Sequence, residues 1–167
     1  MRIAVLPKVN PLGLEKKIRY LPEIGDMNRA YPPSVENTPA DRLGAEIINL
    51  MERYKIARLI DLHEARTFHR MDPSSLGQTL LFADNSISAI LAMDAVDAVN
   101  KGISDGVKKF VLVGHPIPAS SAWYAEKVFE IAAFTVETSP RQPLEDRVEQ
   151  HLAMVHALLS AGGWLEQ

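Results

Sequence analysis

Short apolar runs alternate with amphipathic segments along most of this chain. Apolar runs of this length, bounded by turn residues, are typical of buried strands. The first of them meets a proline at Pro7 and is expected to turn there. The runs that predict strands are residues 2–10, 57–63, 78–83, 108–114 and 131–139.

Three longer segments carry apolar residues at the spacing of one helical face. They cover residues 38–54, 86–102 and 143–163. We expect each apolar stripe to face the core. The stripes are Leu43, Ile47, Leu50, Met51 and Tyr54 in the first; Ile87, Leu91, Ala95 and Val99 in the second; and Leu144, Val148, Leu152, Val155 and Leu159 in the third.

The ends of these helices are also marked. Thr38 can cap the first helix, because Pro39 suits its first position and Asp41 stands three residues after the cap. Gly102 stands just past the second helix, and glycines at 162–163 follow the third.

The order of these elements predicts the fold class. Buried strands that alternate with amphipathic helices indicate an α/β fold, with a mixed, largely parallel sheet flanked by helices. Residues 11–37 hold four of the eleven prolines and little periodicity, so we expect a long loop there. Loops of that length are usually functional or disordered. The 167 residues fit a single domain.

Composition narrows the classes of function. Hydrophobic residues make up 47% and charged residues 23%, which is ordinary for a globular protein. A net charge of -3 gives no electrostatic footprint for nucleic acid. No apolar run is long enough for a signal peptide or a membrane span, so a cytoplasmic location is expected. Cysteine is absent, so a metal would need His, Asp, Glu or water as ligands.

Candidate chemistry follows the strands. In open α/β sheets, ligands bind beyond the carboxyl ends of the strands. His63 and Glu64 follow one strand, and Glu137 lies near the end of another. The loop after the first strand supplies arginines, and His115 follows the strand at 108–114. The pattern predicts that one histidine, one carboxylate and two or three arginines meet at one edge of the sheet.

The same residues carry a resemblance to a known family. The ordered motifs are similar to those of the zinc carboxypeptidase-like hydrolases, and most of all to the succinylglutamate desuccinylase/aspartoacylase branch with its predicted deacylases. The resemblance implies a zinc carboxypeptidase-like (phosphorylase/hydrolase-like) architecture. The motifs are "NPLG" at 10–13, Arg19, "GDMNRAYP" at 25–32, "IDLHEA" at 60–65 and "FTVETSP" at 134–140.

The resemblance also implies a role for each of five residues. His63 matches the last zinc ligand of the family, and Glu137 matches the general base that activates water. Arg29 matches the arginine that grips the terminal carboxylate of the substrate, with Asn28 beside it. Arg19 matches the arginine that stabilises the oxyanion. The implied reaction is zinc-dependent hydrolysis of an amide next to a free carboxylate, of the N-acyl amino acid deacylase or carboxypeptidase type.

One departure from the family leaves three explanations open. The other two zinc ligands of the family lie upstream of "NPLG" in a His-x-x-Glu motif, and that motif occurs nowhere in this sequence. Residues 1–167 are therefore expected to be a catalytic-type domain that lacks an N-terminal part. Alternatively, the chain is a non-catalytic binding or assembly module, or it builds another metal site from His63, Glu64 and His69. Missing strands would leave a sheet edge unpaired, and a homodimer through that edge is a hypothesis.

Simpler roles for the candidate residues also stay open. Glu137 can form a salt bridge with Arg141 or Arg147. Arg29 can pair with Asp26 at the surface. Arg19 belongs to a basic cluster whose usual place is a solvated face, and a single histidine such as His63 is commonly structural.

Overall fold

A mixed four-stranded sheet forms the centre of the protein, in a computed structural model that describes residues 2–19 and 21–164. The strand order is β1-β4-β2-β3. β1 pairs with β4 in parallel, β2 pairs with β3 in parallel, and β2 and β4 are antiparallel. The mixed sheet is therefore confirmed. The strands are β1 (Arg58–Glu64), β2 (Thr79–Phe82), β3 (Val111–Gly114) and β4 (Ala132–Thr138).

The described residues form five α-helices. The three predicted helices are present, and the first has the predicted cap, because the Thr38 side chain accepts from the Asp41 N–H and the Asp41 carboxylate accepts from the Thr38 N–H. Short 3-10 turns lie at Met27–Arg29 and Gly106–Lys108. The helices are α1 (Pro11–Lys16), α2 (Pro39–Tyr54), α3 (Ser86–Asn100), α4 (Ser121–Phe129) and α5 (Leu144–Ala161).

The two faces of the sheet are covered by different helices. On one face, α3 and α5 bury the main core, in which Phe134 and Val136 of β4 pack against Leu91, Met154 and Leu158. On the other face, α4 packs alanine against alanine on β4, and α2 forms a small cluster beside it. Since successive strand residues point to opposite faces, odd-numbered residues of β1 and β4 face α4.

Three predictions about chain segments were wrong. Residues 2–10 form no strand and are mostly exposed, because no strand that the structure describes pairs with them. Residues 11–37 are not wholly irregular, since they contain α1 and the 3-10 turn. No helix was predicted between residues 114 and 131, but α4 forms there from Ser121 to Phe129.

The apolar stripe of α5 does not face the core, contrary to the prediction. Leu144, Val148 and Leu152 are 58%, 47% and 64% exposed, and the residues that α5 buries are Met154 and Leu158. The sheet and α3 contact the side of α5 that carries these two residues, so the stripe is left on the outer flank. In α3 the prediction holds for Leu91, Ala95 and Val99, while Ile87 is exposed.

No helix within residues 2–19 and 21–164 combines the length and the hydropathy needed to cross a bilayer.

Candidate functional site

The register between β1 and β4 brings His63 and Glu137 together. The two residues are directly paired at the carboxyl ends of these parallel strands, and Asp61 is paired with Thr135 one step earlier. All four side chains share the face that α4 covers, because they are odd-numbered residues on paired strands. The register of β1 and β4 therefore explains why His63 and Glu137 lie side by side, as predicted.

His63 Nε2 belongs to a set of polar contacts in which it either donates to Asp61 or accepts from Asn28, because one ring nitrogen cannot do both at once. Its Nε2 lies 3.0 Å from Asp61 Oδ2 and 3.0 Å from Asn28 Nδ2. Asp61 Oδ2 also accepts from Ser121 Oγ at 2.8 Å, and the Ser121 N–H donates to Asn28 Oδ1 at 3.0 Å. The set joins β1, the 3-10 turn at Met27–Arg29 and the start of α4, and so fixes the imidazole ring.

Asp61 favours the protonated, positively charged form of His63. Burial opposes the charged imidazolium, but the hydrogen bond and the negative charge of Asp61 outweigh it and raise the pKa of His63. Glu137 acts in the same direction. Asp61 and Ser121 were not among the residues predicted from the sequence. The signal was available for Asp61, since positions 61 and 63 of one strand share a face.

Glu137 carries a buried carboxylate. It is 7% exposed, and its Oε2 receives no hydrogen bond from any residue that the structure describes. Burial raises its pKa to about 7, against the opposing charge of His63. The predicted alternative of an ion pair with Arg141 or Arg147 is wrong for the described residues, because Arg147 pairs with Glu64 instead.

Two arginines lie in the same cleft as His63 and Glu137, and they differ in their hydrogen-bond partners. Arg19 Nη2 and Nε donate to one oxygen of Asp26 at 3.0 and 3.2 Å. The alternative in which Arg29 pairs with Asp26 is therefore wrong. Arg29 is exposed, and its one hydrogen bond among the described residues goes to the backbone carbonyl of Asn28 at 2.5 Å. Most of its guanidinium donors remain available for a ligand.

These side chains line one cleft of about 240 Å³. All five residues that the sequence singled out lie on its wall: Arg19, Asn28, Arg29, His63 and Glu137. Arg66, Ser74 and Ser75 also line the cleft. A second hollow of similar volume lies between residues 6–9 and α2, but its lining is mainly apolar. The cleft at the ends of β1 and β4 is therefore the one lined by the residues predicted from the sequence.

Other candidate residues are not brought to the cleft. β3 runs in the opposite direction to β4, so the carboxyl end of β3 lies at the end of the sheet away from the cleft. His115 follows β3 there, and its Nδ1 lies 3.7 Å from Asp84 Oδ2. His69 Nδ1 is bonded to the Ser75 carbonyl. The alternative metal site from His63, Glu64 and His69 is therefore wrong. Residues 2–19 and 21–164 contain no group of three His, Cys, Asp or Glu side chains that could hold a metal.

A buried glutamine fixes the backbone on both sides of Glu137. The Gln78 N–H donates to the Glu137 carbonyl at 2.8 Å, and Gln78 Oε1 accepts from the Ser139 N–H at 3.1 Å. Gln78 is 1% exposed, and its amide also bonds Gln142, Gln150 and the Lys108 carbonyl. This network ties the end of β4 to β2 and α5.

We expect the Gln78→Ala variant to lose about 3 kcal/mol of stability, because it leaves several buried polar groups without partners. Urea unfolding at pH 7 measures the loss. Asn49→Ala, which removes an exposed amide from α2, is the control and should change stability by less than about 0.5 kcal/mol. Equal losses in the two variants would contradict the role given to Gln78.

Comparison with known proteins places this fold in a family. Residues 1–161 match the family described as the succinylglutamate desuccinylase/aspartoacylase catalytic domain. Comparison with curated proteins gives no match.

Solved structures show the same architecture. The mDAP-bound form of Csd4 from Helicobacter pylori, a D,L-carboxypeptidase, is similar with a TM-score of 0.80 and 20% identity, over 93% of this chain and 42% of that chain. Its tripeptide-bound form gives 0.78 and 20%, over 91% and 41%. A proposed metallopeptidase from Shewanella denitrificans gives 0.72 and 15%, over 96% and 60%. This chain thus spans about two fifths of the Csd4 length.

Proposed function

Because the chain belongs to the succinylglutamate desuccinylase/aspartoacylase catalytic-domain family, we propose that its cleft serves the hydrolysis of an amide bond next to a free carboxylate. The observation that carries this proposal is the buried carboxylate of Glu137 beside His63, whose Oε2 has no hydrogen-bond partner among the described residues, in a cleft that Arg29 also lines. The substrate would be an N-acyl amino acid or a small peptide. Residues 1–167 would act as a single catalytic-type domain.

Glu137 has the properties of a general base. A base works best when its pKa lies near the working pH, and burial raises the pKa of Glu137 to about 7. It would take a proton from the attacking water and pass it to the leaving amine. Glu137 lies on the wall of the cleft, so its carboxylate would be within reach of a water bound there.

The two arginines would have different tasks. Arg29 would bind the free carboxylate of the substrate, since a guanidinium matches a carboxylate with two parallel hydrogen bonds. Arg19, fixed by Asp26, would hold a positive charge at the position where the oxyanion develops. Asn28 Nδ2 lies 3.0 Å from His63 Nε2, and Asn28 directly precedes Arg29 in the chain. Asn28 would therefore align His63 with the arginine that binds the carboxylate.

A zinc ion is part of the family's chemistry, and the described residues do not fit one by themselves. His63 supplies one ring nitrogen for a metal, because its Nε2 is engaged by Asp61 and Asn28 and leaves Nδ1. Asp61 is itself engaged by His63 and Ser121. A single zinc ion would therefore need donors beyond these residues.

The same observation favours a second candidate function. Because the described residues contain no group of three His, Cys, Asp or Glu side chains that could hold a metal, the chain could bind a carboxylate-bearing ligand without hydrolysing it, as a binding or assembly module. Arg29 and Asn28 would keep their roles in this case, and Glu137 would have none in a reaction.

Release of free amine separates the two candidates. The substrates are N-acetyl amino acids and a tripeptide, and the tripeptide is included because Csd4 structures are known with mDAP and with a tripeptide bound. Each substrate is assayed in the presence of zinc, and its C-terminal amide is assayed in parallel. The enzyme proposal predicts release from the acids only, and a drop of about 10²- to 10⁴-fold in Glu137→Gln. Binding without release would support the module instead.

A further inference from the structure

Ser121 bonds two polar residues of the site at once. It is the first residue of α4, it is 7% exposed, and it is not itself among the residues that line the cleft. Its hydroxyl donates to Asp61 Oδ2 at 2.8 Å, and its backbone N–H donates to Asn28 Oδ1 at 3.0 Å. One buried residue therefore contacts both β1 and the 3-10 turn that carries Arg29.

The backbone bond fixes which end of the Asn28 amide faces the site. A backbone N–H can only donate, so the side-chain atom of Asn28 that meets Ser121 is the carbonyl oxygen Oδ1. The other end of the amide, Nδ2 with its hydrogens, consequently lies 3.0 Å from His63 Nε2. The backbone of Asn28 is held as well, because its N–H donates to Asp26 Oδ1 at 3.0 Å. Asn28 therefore presents donors to the cleft, whereas a flipped amide would present an acceptor.

The start of α4 explains why this bond forms. The first backbone N–H groups of a helix have no partner within the helix. In α4 the Ser120 hydroxyl accepts from the Trp123 N–H, and Asn28 Oδ1 accepts from the Ser121 N–H. Asn28 thus acts as a capping group from a segment 93 residues away in the chain. The bond serves the helix and the turn together, which keeps the amide in this orientation.

Further contacts hold α4 against the segment that carries Asn28. The Tyr31 N–H donates to the Ala119 carbonyl at 3.3 Å, and the Tyr31 ring lies 6.2 Å from the ring of Tyr124 on α4. Tyr31 is 3% exposed. Aromatic pairs stabilise a contact beyond the area that they bury. The start of α4 is therefore a fixed reference point for the Asn28 side chain.

We propose that Ser121 is a positioning residue, which orients the Asn28 amide so that its hydrogens, and not its oxygen, point into the cleft. The inference rests on the proposed function, since the ligand is the carboxylate that Arg29 would bind. Asn28 directly precedes Arg29, and both residues line the cleft. An ionised carboxylate only accepts hydrogen bonds. Nδ2 would therefore attract it, and a flipped Oδ1 would repel it.

The two hydrogen bonds of Ser121 can be removed separately. Ser121→Ala removes the hydroxyl and keeps the backbone N–H, whereas Ser121→Pro removes both donors. Proline suits the first position of a helix, and Ser120 is already extended, with φ -83° and ψ 164°, as a residue before proline prefers. Ser86→Pro is the matched control, because Ser86 is exposed at the first position of α3 and also follows an extended residue.

The Asn28 side chain reports its orientation without any ligand. In two-dimensional ¹⁵N NMR, the side-chain amide signals of Asn28 should move in Ser121→Pro. They should move far less in Ser121→Ala and stay in place in Ser86→Pro. Asn28 signals that do not respond to Ser121→Pro, or that respond equally to Ser86→Pro, would overturn the proposal.

Hydrogen exchange measures the same bond from the other partner and does not depend on a proline variant that folds. Asn28→Ala should speed the exchange of the Ser121 N–H by about tenfold or more, because that group loses its acceptor. The Ser88 N–H, which donates to Asn85 Oδ1 at 2.8 Å in α3, should keep its rate. An unchanged rate at Ser121 would overturn the proposal.

Affinity for a carboxylate tests the consequence. In calorimetric titration, an N-acetyl amino acid should bind Ser121→Pro about tenfold more weakly, as expected for one lost hydrogen bond to a charged group. Its C-terminal amide should lose less than about twofold. Equal losses for acid and amide would mean that proline only damages the fold, and would overturn the proposal. If the unchanged chain binds no carboxylate, the proposed function fails, and NMR and exchange still decide whether Ser121 orients Asn28.

Discussion

The Glu137→Gln variant is expected to be more stable than the unchanged chain by about 3 kcal/mol at pH 8. The carboxyl of Glu137 is buried, no residue that the structure describes bonds its Oε2, and burial raises its pKa from 4.5 to about 7. Each unit of pKa shift corresponds to about 1.4 kcal/mol. Above pH 7 the folded chain must hold this charge in the cleft, whereas glutamine has a similar shape and no charge to bury.

The pH dependence has a definite sign. Between pH 4.5 and about 7 the folded chain keeps the Glu137 proton and the unfolded chain loses it, so stability falls as pH rises through this range. His63, with its raised pKa, also contributes stability that is lost as pH rises. The difference between variant and unchanged chain isolates the part due to Glu137. It should be near zero at pH 4.5 and reach its full size above pH 7.

Urea unfolding at pH 4.5 and pH 8 measures this difference. Glu149→Gln is the control, because Glu149 is exposed on α5 and should give the same small change at both pH values. A Glu137→Gln variant no more stable than the unchanged chain at pH 8 would show that the buried carboxylate is satisfied in solution. The pKa of Glu137 would then not be raised by burial, and Glu137 would not be suited to act as a general base near pH 7.

Replacing Arg29 with glutamine is expected to weaken the binding of an N-acetyl amino acid by about 10- to 150-fold. This range corresponds to the 1.5–3 kcal/mol that a hydrogen bond to a charged group contributes. Arg29→Lys should recover part of the loss, since an ammonium keeps the charge and loses the paired donors. Calorimetric titration of the unliganded chain measures binding without requiring hydrolysis.

A matched surface arginine controls for the change of charge. Arg42, like Arg29, is exposed and donates to a nearby backbone carbonyl, that of Asn37 at 2.6 Å, but it does not line the cleft. Arg42→Gln should leave the affinity within about twofold, as expected for screened surface charge. Equal losses in the two variants would mean that Arg29 acts only through net charge and holds no carboxylate.

The sheet could be predicted from local signals, and the pairing of its strands could not. Apolar runs mark β1 to β4 clearly. Nothing within a run shows that β2 runs antiparallel to β4, and this direction sends His115 to the far end of the sheet. His63 and Glu137 met as predicted because their strands happen to be parallel neighbours in register.

Periodicity identified the helices better than it identified their buried faces. In α3 the sheet lies under the predicted stripe. In α5 a helix of the same amphipathic pattern packs through Met154 and Leu158, while Leu144, Val148 and Leu152 stay exposed. A pattern shows that an apolar face exists. It does not show which neighbour covers that face.

The hydrogen bonds of the site were the least predictable part. Asn28 and His63 are 35 residues apart, and Ser121 lies 93 residues from Asn28. Only the folded structure shows that Asp61 contacts His63, and that Asp26 forms its ion pair with Arg19 and not with Arg29. The resemblance to a family supplied the five residues, and the fold supplied their partners.

The location of a bound carboxylate tests the central claim most directly. Two-dimensional ¹⁵N NMR of the full chain, titrated with an N-acetyl amino acid and separately with its C-terminal amide, reports which residues the ligand contacts. We predict shifts at Asn28, Arg29, His63 and Glu137 with the acid, and far smaller shifts with the amide. Shifts elsewhere on the protein, or equal shifts with both ligands, would contradict a carboxylate-binding cleft at the ends of β1 and β4.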